Sequence, residues 1–369
     1  MGGPCDQGRG VSKVADVEQP MRWRMLASWL LAGVYAAGVG VATTMHAADP
    51  PIVTLAVAFA GDVLLAGSQA GVTIHRLPSL EVVATLPVAI ELPLALAFSP
   101  DGTLLAVAGG APAQKGQIEV WRWADRQCLW RGQAGDDTLQ TACWSPNGQQ
   151  LCVAGDDKSV QLWRWTSDGA AARLKRVARW RPHSAGVTSV VWLAAESPAE
   201  GGWLTAGLDH TLRLIAPARG QVVRTLDQHT AAVRDLAVEP AAASTAKTIR
   251  PDAPAAWSAA GPLVASASAD RTVRFWQPQI GRLVRFARLP VAPTAIAWTP
   301  DGRQVLAACE DGHVRSVDRE SVQVTDLGQA VEGWAFALVV TPDGRFAVVG
   351  GAHGRLNRLA LPGMMGSGP

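Results

Sequence analysis

Seven times along this 369-residue chain a short apolar stretch ends in an aromatic or β-branched residue and leads, through a polar turn, into two further strand-like stretches. The first stretches end at Phe59, Phe98, Trp144, Trp192, Val238, Trp298 and Val340; the third close at His75, Trp121, Trp163, Ile215, Trp276, Val317 and Leu359. Successive intervals in the second series are 46, 42, 52, 61, 41 and 42 residues. A repeat of this length is one supersecondary unit that cannot bury its apolar faces alone and must stack on copies of itself. The two long intervals contain insertions, Glu196 to Gly202 and residues 239–262.

Within each period the pattern is that of hairpins. Ser99-Pro100-Asp101-Gly102, Ser145-Pro146-Asn147-Gly148, Thr299-Pro300-Asp301-Gly302 and Thr341-Pro342-Asp343-Gly344 combine a Pro that fixes φ with a Gly that tolerates positive φ, so they join antiparallel neighbours. The strands that follow, such as Leu104 to Ala108, Val305 to Ala308 and Phe346 to Val349, are apolar on both faces, as required between two stacked sheets. These features predict an all-β, seven-bladed β-propeller of four-stranded antiparallel blades over residues 52–362, forming one domain. The last period ends soon after Leu359. Either Thr43 to Pro51 pairs beside the strand near Leu356, or the seventh blade has three strands.

The residues also carry a family likeness. The fifth period reads Gln228-His229-Thr230, then Val264 to Asp270, then Val273-Arg274-Phe275-Trp276, and it resembles the WD-repeat β-propellers. The resemblance implies a hydrogen-bonded structural tetrad of His229, Ser266, Asp270 and Trp276. It implies partial tetrads at His183, Thr205 and Asp209 in the fourth period, where Ile215 replaces the Trp, and at Asp157 and Trp163 in the third. In the sixth period Asp311 alone matches, and no Asp follows Trp121, Trp163 or Trp276. It further implies a non-catalytic scaffold with a protein or peptide partner. The alternative is a propeller enzyme of the lactonase-like or quinoprotein type.

The N-terminus has a different character. Met21-Arg22-Trp23-Arg24 is basic, residues 25–42 are uncharged and mostly apolar, and small residues follow around Ala42, Ala47 and Ala48. This order predicts a signal peptide over residues 21–48, or an anchor retained at 25–42, and hence a periplasmic, extracellular or membrane-anchored protein. Residues 1–20 are a polar extension, and Met21 offers an alternative start. Any membrane contact is expected only through this segment.

Composition narrows the chemistry. Lys and Arg number 33 against 31 Asp and Glu, a net charge of +2, and their interspersion along the chain gives no basic stripe for nucleic acid. No Cys-x-x-Cys, phosphate-cradling loop or Gly-x-Ser-x-Gly elbow occurs, so no cofactor, metal or catalytic residue is assigned. Cys143 and Cys152 are expected to lie opposite each other on paired strands, a disulfide being one outcome and two core thiols the other. The Trp-Arg-Trp runs at 121–123 and 163–165 read as packing. Partner binding is expected on the face built by loops before first strands and between second and third strands, with Lys158, Arg181, His210, Arg271 and His313 as candidate contacts of a monomeric propeller. The opposite face carries the short Pro-containing turns and both insertions.

Overall fold

In the computed structural model the residues described are 49–58, 61–167, 172–193, 202–216, 220–240 and 261–361. The expected signal or anchor segment lies outside them, as do most of the two insertions and the strand end at Phe59. Among the described residues no helix is long and apolar enough to cross a membrane.

The described chain forms seven antiparallel sheets in sequence order, spanning 54–86, 92–135, 139–180, 187–226, 233–288, 293–329 and 335–360. These are blades 1 to 7 of a β-propeller. Blades 1 to 6 have four strands and blade 7 has three, Ala335–Val340, Phe346–Gly351 and Leu356–Ala360. The first strand of every blade contacts the first strand of the next, and that of blade 7 contacts that of blade 1. Ile52 N donates to Gly351 O at 3.1 Å and completes the junction.

Strand chemistry follows radial position. The second strands are almost wholly buried, as in Gly202–Gly207 and Val264–Ser268, because each lies within a sheet covered on both faces. Fourth strands such as Gln221–Leu226 are mostly exposed. The buried apolar residues fall into seven clusters, and each cluster joins two neighbouring blades. Trp121, Trp163 and Trp165 belong to these interfaces and are buried. Each large side chain so buried stabilises by roughly 1.5–3 kcal/mol.

Polar staples fix one blade to the next near the channel. A bulge in the first strands of blades 4, 5 and 6 releases Thr188, Arg234 and Thr294 from the ladder. Thr188 Oγ1 donates to Val233 O at 2.8 Å, Arg234 Nη1 to Pro293 O at 3.3 Å, and Thr294 Oγ1 to Ala335 O at 2.5 Å. Asp235 joins three blades: it accepts from Ser189 Oγ at 3.1 Å in blade 4 and from Ile296 N at 3.0 Å in blade 6. At the outer end of the first strands, Trp144 Nε1 donates to Ala97 O and Trp298 Nε1 to Ala237 O, each in the preceding blade.

Asp235→Ala strands the Ile296 amide and frees Ser189, so it should lower the unfolding free energy by about 1–3 kcal/mol. Exposed Asp227, on the loop before the same strand, should tolerate Ala within about 0.5 kcal/mol. Urea titrations of both variants read the difference.

Candidate functional site

The upper face is formed by the loops preceding first strands and by the turns between second and third strands. In blade 5 this turn is anchored from below by a continuous relay. Trp276 Nε1 donates to Ser266 Oγ at 2.8 Å, Ser266 Oγ lies 2.7 Å from His229 Nε2, and His229 Nδ1 lies 2.8 Å from Asp270 Oδ2. Ser266 has one hydroxyl hydrogen. With Trp276 donating to it, the relay is fully satisfied when Ser266 donates to a neutral His229, which in turn donates to Asp270. The second carboxylate oxygen accepts from Thr272 N at 3.0 Å and Thr272 Oγ1 at 2.6 Å, closing the turn.

Burial raises the Asp270 carboxyl, but hydrogen bonds from His229 and Thr272 outweigh it and hold the group far below the usual carboxylate range. For His229 burial dominates and lowers the pKa, against the pull of Asp270. Arg274 Nη2 reaches Asp270 at 3.3 Å, so the carboxylate faces more than one cationic or donor group.

The other blades reach the same end with different residues. In blade 4 His183 bridges Asp209 at 2.9 Å and Thr205 at 2.9 Å. Ile215 occupies the Trp position, and Trp203, directly opposite it on the second strand, supplies the missing bulk and packs 4.7 Å from Trp192. In blade 3 the partial tetrad does not assemble: the Trp163 indole nitrogen has no partner, and Asp157 instead pairs with Arg179 at 2.7 Å and caps Ser159 N at 2.8 Å. In blade 2 a fully buried Glu119 takes the central place, accepting from Ala89 N, Trp121 Nε1 and Arg131 Nε at 2.9, 3.0 and 2.8 Å. In blade 6 Asp311 receives both Nη atoms of Arg315 at 3.0 and 2.6 Å, which lowers its pKa. The Glu119 and Arg315 centres were not assigned from sequence; the available signal was a charge in mid-strand, Glu119 between Ile118 and Val120 and Arg315 between Val314 and Ser316.

These anchored turns present a register of left-handed residues. Lys158, His210 and Arg271 follow Asp157, Asp209 and Asp270 in blades 3, 4 and 5, with φ of +66°, +69° and +63°, and all three are exposed. Arg181 is exposed on the loop entering blade 4. His313 belongs elsewhere. Gly312 takes the left-handed position in blade 6 at φ +77°, which places His313 as the first residue of the strand His313–Asp318 and not in the turn, where its Nδ1 meets Asp326 at 3.0 Å. That contact engages Nδ1 of a ring that is only partly exposed.

Two further groups bear on chemistry. Cys143 and Cys152 stand opposite each other in register, yet both are free thiols, so the bridging outcome is not the one found. Burial pushes Cys143 up to about 11 and Cys152 well above its ordinary value, keeping both as thiols. On the lower face a cleft of about 370 Å³ opens between blades 2 and 3, lined by the two Ser-Pro turns, Arg122, Leu129 and Trp165. Among the described residues no cluster of His, Cys, Asp and Glu has the make-up of a metal site.

Residues 97–195 match a family model described as the anaphase-promoting complex subunit 4 WD40 domain, and residues 255–277 and 290–318 match the WD domain, G-beta repeat. The periodic tryptophan protein 2 homologs of Caenorhabditis elegans and Dictyostelium discoideum are 27% and 24% identical over 155 and 229 residues, covering 42% and 55% of this chain. Coronin-7 of Bos taurus is 34% identical over 105 residues, 28% of this chain. The matches span only 16%, 24% and 12% of those relatives' own lengths. Parts of the chain thus match WD-repeat models, and the seven-sheet ring described above is the β-propeller that such repeats build.

Acid should expose the tetrads' contribution. His229 has a folded pKa below its unfolded value of about 6.5, so its stabilisation is present above that pH and is lost as pH falls through the folded value. Asp209 and Asp270 have folded values below about 3.9, so theirs persists to lower pH and is lost only in stronger acid. Thermal unfolding should show a Tm that is flat between about pH 7 and 8 and declines on acidification. Asp270→Ala should remove about 1–3 kcal/mol at neutral pH, because His229 Nδ1 is left buried without an acceptor.

Proposed function

We propose that this propeller is a non-catalytic platform that binds a protein or peptide partner on its upper face. The observation that carries this reading is the row of exposed basic residues held in left-handed turns in three successive blades. A non-glycine residue in that conformation costs roughly 1–3 kcal/mol and persists only where the surroundings impose it. The Asp side chain behind each residue imposes it, so side chains reach a partner from fixed turns and lose little entropy on binding. Arg271 is the leading contact, since its planar donors suit a carboxylate. The opposing lower face offers the Pro-containing turns.

Supporting the platform reading, the matching family model is named for a subunit of a multiprotein complex, and a further relative from Cryptococcus neoformans for iron–sulfur protein assembly. Lactonase-like or quinoprotein chemistry would need groups converging on the channel. Arg234 and Glu310 stand near it, but they are paired with each other at 2.6 Å. The segment 25–42 supports a location outside the cytoplasm or at a membrane; that is part of the proposal and rests on the sequence alone.

Photo-crosslinking residues introduced at positions 158 and 271, and at 303 and 345 on the lower face, test the assignment in the intact protein within its host. Partner adducts confined to 158 and 271 are expected. Adducts confined to 303 and 345 would move the binding face to the other side.

A further inference from the structure

The sequence showed cations interspersed with acids, but the fold collects them. Fourth strands of successive blades stand side by side at the rim, and those of blades 3, 4 and 5 are Ala172–Trp180, Gln221–Leu226 and Arg282–Arg288. They carry Arg173, Lys175, Arg224, Arg282, Arg285 and Arg288, all exposed, and contain no acidic residue. Arg176 and Arg179, on the first of these strands, turn to Gln161 and Asp157. Among the described residues Arg173, Lys175, Arg282 and Arg288 form no salt bridge. The expected absence of a basic stripe therefore does not hold in three dimensions, because residues roughly fifty positions apart in sequence share one radius.

Apolar side chains are interleaved with these cations. Phe286 is 49% exposed, Val177 42% and Val223 40%. The strands are also sheet edges, whose outer N–H and C=O groups have no ladder partner. Cations on an edge are a common defence against aberrant pairing. That explanation would apply to every blade equally, and it does not: the fourth strands of blades 1 and 6 carry Glu81 and Asp326 and no cation. Charge is concentrated on one contiguous arc. Arg224 Nε donates to Gln279 O at 2.6 Å and ties the rims of blades 4 and 5 together. The arc also runs into the upper face, since Leu289 N, directly after Arg288, donates to Arg271 O at 2.8 Å.

We propose that the rim of blades 3 to 5 is a docking surface for an acidic, extended polypeptide segment of the partner. Such a segment pairs its backbone with the edge of one blade, sets its carboxylates against the guanidinium groups there and, where it passes on to the next rim, lays apolar residues on the exposed Phe286 and valines. Arginine outnumbers lysine here, and its fork matches carboxylate geometry. A polypeptide fits better than a bilayer because successive blades turn away from one another around the ring, so a flat surface meets one rim at a time while a chain follows several. The inference rests on the platform reading and adds the chemistry of the occupant.

The test uses the whole protein and a fluorescein-labelled peptide of alternating glutamate and valine, with vesicles of phosphatidylcholine containing phosphatidylserine as a second probe. Fluorescence anisotropy should show binding that weakens with salt. Combined Arg282→Glu, Arg285→Glu and Arg288→Glu should reduce affinity by about 10-fold or more, equivalent to about 1.4 kcal/mol per decade, whereas Arg345→Glu with Arg358→Glu should leave it unchanged. The Arg→Gln counterparts should give an intermediate loss, and unchanged circular dichroism shows that folding is intact. Peptide binding lost only with Lys158→Glu and Arg271→Glu would overturn the rim assignment and leave the platform standing. Binding to vesicles without binding to the peptide, or binding to neither, would overturn the acidic-polypeptide inference outright.

Discussion

Everything in this molecule depends on one constraint: a twisted four-stranded sheet that is apolar on both faces has no stable existence alone. Each blade must be covered twice. In a linear stack the terminal sheets would each leave one face wet, and a ring removes both ends at once. Here the junction of blades 7 and 1 has its own apolar cluster, with Ile52, Leu55 and Leu64 packed against Ala337 and Val348. Blade 7 takes part in the ring through its first two strands, which lie nearest the channel. Its lack of a fourth strand among the described residues therefore does not open the core.

Within that frame the blades share a function for their polar centres but not a composition. Each centre must hold a tight upper turn while satisfying groups taken out of water. Blade 5 does so with a neutral relay from indole to carboxylate, blade 2 with a buried Glu119 and its three donors, and blade 6 with a two-pronged Arg315 on Asp311. Leaving a buried polar atom without a partner costs about 1–3 kcal/mol, which favours a replacement set of partners wherever the relay is absent. Blades 3 and 4 show incomplete cases, in which the indole nitrogens of Trp163 and Trp203 are unpaired among the described residues.

Much of the architecture was legible because its signals are local. The Pro-containing turns and apolar runs mark the first and second strands, and Phe98, Trp144, Val238, Trp298 and Val340 end their strands as read. The position of His313 was misjudged for a local reason too: Gly312 had claimed the turn. What was not legible arises between distant residues. The exchange of bulk between Trp203 and Ile215 depends on strand register, and the recruitment of Arg131 to Glu119 depends on the fourth strand. The cationic rim depends on how far each blade is rotated from the last. Linear charge patterning averages over that geometry and returns a neutral answer.

Native-state hydrogen exchange measured by mass spectrometry tests the closed ring most directly. If closure supports all blades together, the second strands of all seven, including Phe346–Gly351 in blade 7 and Val63–Ser68 in blade 1, should exchange slowest and with a common protection set by global unfolding. Protection that falls away progressively toward blades 1 and 7 would mean an open array with frayed ends, and would contradict the account.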